Sequence, residues 1–132
     1  MPRKPRATVV AAVIERDGSV LICQRRRDDS HPFKWEFPGG KVELGESMPA
    51  ALLRELKEEL AIQASIGPEI TRCAHRYAGR SPIQLVFYRV REFHGEPENR
   101  VFEQIRWEAP ARLLEYDFLE ADAGILRILA LR

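Results

Sequence analysis

The sequence predicts an α+β fold in which a mixed β-sheet packs between helices. Three observations predict it. Short apolar runs with strand composition recur along the chain, at residues 7–15, 20–24, 82–92 and 102–107. One long amphipathic segment, residues 47–60, interrupts them, and a second, residues 119–131, follows the last run. The two kinds of segment mix without strict alternation, which points to one sheet covered by helices. With 132 residues, 45% of them apolar and 31% charged, the chain is expected to fold as one globular domain, residues 1–132, with 1–6 a flexible basic tail.

Each element has a local reason. Residues 7–15 are rich in Val, Ile and Ala. The pair Asp17-Gly18 and the run 20–24 follow, the pattern of a β-hairpin. Residues 25–34 are polar and charged and predict a loop. A brief strand at 35–37 precedes Pro38-Gly39-Gly40, which is expected to break the chain. Ser47 is a suitable N-cap and Pro49 suits a first helical turn, so a helix should run to about Leu60. Its buried stripe is predicted as Leu52, Leu53, Leu56 and Leu60. Residues 62–77 and 82–92 predict two strands joined around Ala78-Gly79-Arg80, with a turn at 94–97 and another strand at 102–107. Pro110 opens a short irregular or helical piece. Ala121, Ile125, Ile128 and Leu129 have the spacing of a final packing helix.

Composition excludes several classes. Twenty-one basic residues against twenty acidic ones give a formal charge of +1, which argues against a nucleic-acid coat or a membrane-surface protein. Two cysteines, Cys23 and Cys73, in apolar surroundings read as reduced, buried thiols, too few for a zinc site. The apolar run 7–14 is short, Glu15, Arg16 and Asp17 follow it at once, and no run reaches membrane-spanning length. A soluble, cytoplasmic protein is expected.

The chemistry concentrates in GKVELGESMPAALLRELKEELAI, residues 40–62. On a helix, Glu55, Glu58 and Glu59 fall within an arc of roughly 100°. Three carboxylates so close repel one another unless a cation neutralises them, and the cheapest is a hard divalent ion with oxygen ligands. The acids lie beside the apolar stripe, which places them at the rim of a cleft. Arg54 stands four residues before Glu58 and can pair with it. A solvated acidic face would explain any one glutamate alone, but it explains the whole set poorly.

The spacing of Gly40, Glu46, Arg54, Glu55, Leu56, Glu58, Glu59 and Ile62 resembles the Nudix box, G-x5-E-x7-R-E-U-x-E-E-x-G-U, with Ala61 where the family has glycine. Gln24-Arg25, WEFPGGKVE and DFLEAD look like the MutT branch, so the resemblance covers nearly the whole chain. It implies an α/β/α sandwich and a hydrolase that attacks phosphorus with water, using Mg2+ or, in its place, Mn2+. It further implies Glu58 and Glu59 as metal ligands, the Gly39 carbonyl as another, and Glu55 as ligand or base. Arg54 would orient a glutamate, Gly40 would support the loop, and Glu46 would support it or bind an outer metal. Many MutT-like enzymes add a late glutamate. Glu103 is the candidate ligand or base, although the family position falls at Val101, and both would face one side of an extended segment.

For substrate, Arg25 matches an arginine that contacts nucleotide phosphate in the MutT branch. Asp122 falls where that branch has a base-reading asparagine; CTP pyrophosphohydrolase-like relatives resemble this chain at the aspartate. A protonated Asp122 would read an oxidised purine, and an ionised one an exocyclic amine. Capping of the last helix is its competing role. Tyr77 and Phe118 are candidates to stack on a base, with plain packing the alternative. The leading expectation is a nucleoside triphosphate pyrophosphohydrolase releasing nucleoside monophosphate and pyrophosphate, removing non-standard nucleotides such as 8-oxo-dGTP. Cytosine or methylated cytosine nucleotides are the alternative. A non-catalytic ligand-sensing module is a different class, disfavoured because every box glutamate is kept. The expected partner is a nucleotide, without stable nucleic-acid or membrane binding, to a monomer or homodimer.

Overall fold

The computed structural model describes residues 7–131; the basic segment 1–6 lies outside the described residues. The hairpin forms as expected. Strands β1 (Ala7–Arg16) and β2 (Ser19–Gln24) pair antiparallel, with Glu15 opposite Val20 and Arg16 opposite Ser19. The two residues between them, Asp17 and Gly18, both have positive φ, at 52° and 77°, as a two-residue hairpin turn demands. β3 (Trp35–Glu36) extends β2 at the edge.

At Pro38-Gly39-Gly40 the structure departs from the expected break. Gly39–Lys41 is a strand, β4, antiparallel to Val9, Val10 and Ala11 of β1. Helix α1 (Met48–Leu60) follows, with Ser47 Oγ accepting the Ala50 N–H at 3.2 Å. The segment 62–77 splits into β5 (Gln63–Ser65) and β6 (Glu69–His75), because Gly67 and Pro68 interrupt it. β7 (Ile83–Val90) and β8 (Glu92–His94) replace the single strand expected at 82–92, and β9 spans Gln104–Glu108. Pro110–Glu115 is a 3-10 turn. The final helix is shorter than expected: a 3-10 turn at Glu120–Asp122 leads into α2 (Ala123–Ala130).

The main sheet runs β3-β2-β1-β7-β6, with β4 also on β1 and β9 on β2; β5 and β8 make a separate pair. β1 and β7 are parallel over eight residue pairs while the other pairs are antiparallel, so the sheet is mixed. Alternation along the central strands sends side chains to two cores. Val10, Ala12 and Ile14 join Leu52, Leu56 and Leu60 under α1. Ala11, Val13, Leu85 and Phe87 join Ile125, Leu126 and Leu129 under α2. Leu53 is 41% exposed; the α1 stripe is Ala51, Leu52, Leu56 and Leu60, because a helix advancing 100° per residue carries position 53 past the contact face. In α2, Leu126 is buried where Ile128 was expected. Both cysteines are free, Cys23 buried and Cys73 half-buried. No helix among the described residues is long and apolar enough to cross a membrane.

Candidate active site

β4 delivers a loop to the flank of α1, and two glycines make the approach possible. A Cβ on Gly39 would strike the Val10 carbonyl, and one on Gly40 would lie 2.5 Å from the Glu55 carboxyl carbon. The Gly39 N–H donates to Glu59 Oε1 at 3.0 Å. The acids of one helical strip thereby meet the backbone of the neighbouring strand.

Arg54 organises the strip. Its Nε and Nη2 donate to the two oxygens of Glu46 at 2.8 and 2.9 Å, Nη1 donates to Glu55 Oε1 at 2.9 Å, and Nη2 reaches the Lys41 carbonyl at 3.1 Å. Its contact with Glu58, the one expected from helical spacing, is the long one, at 3.5 Å. The fork holds Glu46 well below the ordinary carboxylate range, at about 2, mainly through its hydrogen bonds. The other acids move the opposite way. Burial raises Glu55 against the opposing pull of Arg54. Glu59 is pushed up to about 8, first by burial and then by the charge of Glu55. Glu58 is the exposed member.

The donor chemistry suits a hard cation: carboxylate oxygens on one strip, two of them driven toward protonation because burial and repulsion outweigh Arg54 at Glu55 and the Gly39 amide at Glu59. Among the described residues no three acidic, histidine or cysteine side chains converge on one point. Glu59 is turned to the Gly39 amide and Glu55 to Arg54.

Glu103 does not join them. It is exposed on a bend before β9, its N–H donates to the Gln24 carbonyl, and it faces a polar cleft with Arg26, Arg27 and Phe33. The extended segment expected at 101–103 is absent because Asn99 closes the turn, its Oδ1 accepting the Phe102 N–H at 2.8 Å. Period-two reasoning therefore does not link Glu103 with Val101.

From Gly39 and Gly40 a cavity of about 220 Å3 runs inward to Asp122, past Arg25, Glu36 and Tyr77. It opens into a vestibule of about 520 Å3 containing Lys41, His31 and Arg80. Asp122 is 4% exposed and its Oδ2 has no hydrogen-bond partner. Its side chain makes no helix-capping bond, so the competing role as a cap is absent. Burial, with a smaller contribution from Glu36, raises its pKa well above the usual aspartate value. Arg25 is no solvated loop charge: its Nη1 donates to both oxygens of Glu36 at 3.1 Å. Tyr77 lines the cavity. Phe118 instead packs in the core, 5.4 Å from Phe37 between ring centroids.

Glu36 was missed from the sequence. The signal was an acid between Trp35 and Phe37 in a strand, where alternation turns it away from the core that both aromatics share. The rings of His31 and His75 each lie 4.5 Å from that of Tyr77, centroid to centroid.

The NUDIX domain model matches residues 4–129. A CTP pyrophosphohydrolase of Escherichia coli K12 is 41% identical over 125 residues, covering 94% of this chain and 92% of that protein. An 8-oxo-dGTP diphosphatase of Haemophilus influenzae is 34% identical over 119 residues, covering 89% of this chain and 87% of that one. The solution structure of the Escherichia coli ORF135 protein superposes with a TM-score of 0.85 at 40% identity, covering 96% of this chain and 90% of that one. Box, fold and relatives agree along nearly the whole length, and the chain belongs to the Nudix hydrolase family.

Proposed function

We propose that this protein is a Mg2+-dependent nucleoside triphosphate pyrophosphohydrolase of the cytoplasm, releasing nucleoside monophosphate and pyrophosphate. One observation carries the reading: a single cavity joins the glycine turn beside Glu55 and Glu59 to a buried, unpartnered Asp122. Phosphate chemistry at one end and base recognition at the other suit a nucleotide lying between them.

Glu58 and Glu59, with the Gly39 carbonyl, would hold the divalent ion, and Glu55 would hold it or take the proton of the attacking water. Bound there, Mg2+ or Mn2+ would neutralise phosphate charge and acidify water. Arg54 orients Glu55 through Nη1 and braces the loop through Glu46. Glu103 stands outside this group, and Glu103→Gln is expected to lose less than about tenfold in turnover, below the range for a general base.

With its pKa raised, Asp122 presents a hydroxyl donor and a carbonyl acceptor side by side. Oxidised guanine offers the complement, an acceptor O6 beside an N7–H donor, whereas ordinary guanine shows two acceptors there. Non-standard purine triphosphates such as 8-oxo-dGTP are the leading substrates. Cytosine nucleotides are the second reading; their N4–H2 and N3 also fit one donor and one acceptor, and the 41% identical relative is named for CTP. Hydrolysis of a nucleotide panel with Mg2+, with both products identified, tests this. Monophosphate and pyrophosphate from 8-oxo-dGTP or CTP are expected. Release of inorganic phosphate and nucleoside diphosphate, or no turnover of any triphosphate, would overturn it.

A further inference from the structure

The loop between β2 and β3 is polar yet firmly built. Asp29 N–H donates to the Arg26 carbonyl, Phe33 N–H to the Arg25 carbonyl and Lys34 N–H to the His31 carbonyl. His31 and Phe33 hold φ at 53° and 62°, a region that residues with a side chain adopt only when their surroundings fix them. Arg25 supplies the fixing. Its Nε donates to the Ser30 carbonyl at 2.7 Å, Nη2 to Ser30 Oγ at 3.0 Å, and Nη1 to both oxygens of Glu36. All three guanidinium nitrogens are engaged within the protein, and Ser30 closes the Nε–Nη2 side of the fork to a phosphate. By contrast, the side chains of Lys41 and Arg80, in the same vestibule, have no hydrogen bond or ion pair among the described residues. What the loop delivers is the His31 ring, tilted 49° against Tyr77, which in turn lines both cavity and vestibule.

We propose that Arg25 is a positioning residue: by tying Ser30 to Glu36 it sets the loop so that His31 braces Tyr77 as the side wall that receives the ring of the nucleotide. The polyphosphate charge then falls to cations other than Arg25, with Lys41 and Arg80 the unpaired ones at hand. This assignment rests on the nucleotide reading above and specifies the wall of that same site.

Binding measured by calorimetry in Mg2+ buffer separates the two roles. The probes are inorganic tripolyphosphate and the α,β-methylene analogues of 8-oxo-dGTP and CTP, with a melting curve run on each variant. Arg25→Gln and Arg25→Lys should each weaken the preferred nucleotide analogue by about tenfold, the worth of one ring contact, and leave tripolyphosphate binding within about twofold. Lysine fails alongside glutamine because one ammonium cannot span Ser30 and Glu36 together. His31→Ala, in a loop outside the core, should reproduce the loss, His31→Phe should restore binding, and adding His31→Ala to Arg25→Gln should cost little more. Equal loss of tripolyphosphate and nucleotide in Arg25→Gln, retention of affinity in Arg25→Lys, or unaltered nucleotide affinity in His31→Ala would overturn the assignment. A wild-type protein that binds both nucleotide analogues no more tightly than tripolyphosphate would instead overturn the nucleotide reading itself.

Discussion

Asp122 and Glu59 show how burial, reinforced by neighbouring carboxylates, sets up chemistry at single residues. Asp122 keeps its proton in the folded protein at pH values where the unfolded chain has lost it, so between pH 3.8 and its raised folded value stability falls as pH rises. Asp122→Asn removes that burden without changing shape. The variant is expected to melt above wild type at pH 8, with the difference shrinking toward pH 4, in scanning calorimetry. In hydrolysis assays it should shift base preference more than maximal rate. Glu59 follows the same sign between 4.5 and about 8. Mg2+ uptake at pH 7 should therefore expel a proton, and affinity should rise as pH approaches 8. Calorimetry in buffers of different ionisation enthalpy counts that proton, and a proton-neutral uptake at pH 7 would contradict the raised value. Glu58→Gln or Glu59→Gln should lower turnover by about two orders of magnitude or more with an unaltered circular dichroism spectrum.

At the level of elements, the end of α1 shows a local preference overruled. Ala61 takes the left-handed conformation, at φ 58° and ψ 32°, and its N–H donates to the Lys57 carbonyl, where the family places glycine. Ala61→Gly relieves that strain but gives the unfolded chain more freedom. The net expectation is about 0.5–1 kcal/mol of added stability, read as a small rise in melting temperature. Much of α1 was legible because its signals are local: the Ser47 cap, Pro49, the leucines and the box spacing lie within one short stretch. The hairpin at Asp17-Gly18 was legible for the same reason. β4 was not, because its pairing partner is some thirty residues away and a Gly-Gly pair reads as a breaker unless that approach is known. The His31–Tyr77 contact was hidden likewise, since no periodicity connects one loop to another, whereas Glu36 had left a signal in the alternation of β3. Leu53 erred in the opposite direction, a leucine beside the stripe read as part of it, while Phe118 takes the packing alternative.

The molecule as a whole places its polar machinery along one seam, from Glu58 at the surface through Gly39 to Asp122 in the interior, between two apolar cores that face opposite sides of the sheet. Gly40→Ala disturbs that seam at one joint. The added methyl must push Glu55 aside, so turnover should fall at least about tenfold while both cores, and hence the melting temperature, change little. A matching collapse in melting temperature would mean that the glycine serves packing. The central pairing has a further consequence, for how the chain assembles. β1 lies parallel to β7, so Ala7 meets Ile83 and Ile14 meets Val90. On the ribosome, the first strand is made early and then lacks its principal neighbour until residue 90 has left the exit tunnel. Until then only β2 and β4 can cover it, so the edge that β7 will occupy stays open to wrong pairing while the residues between are made.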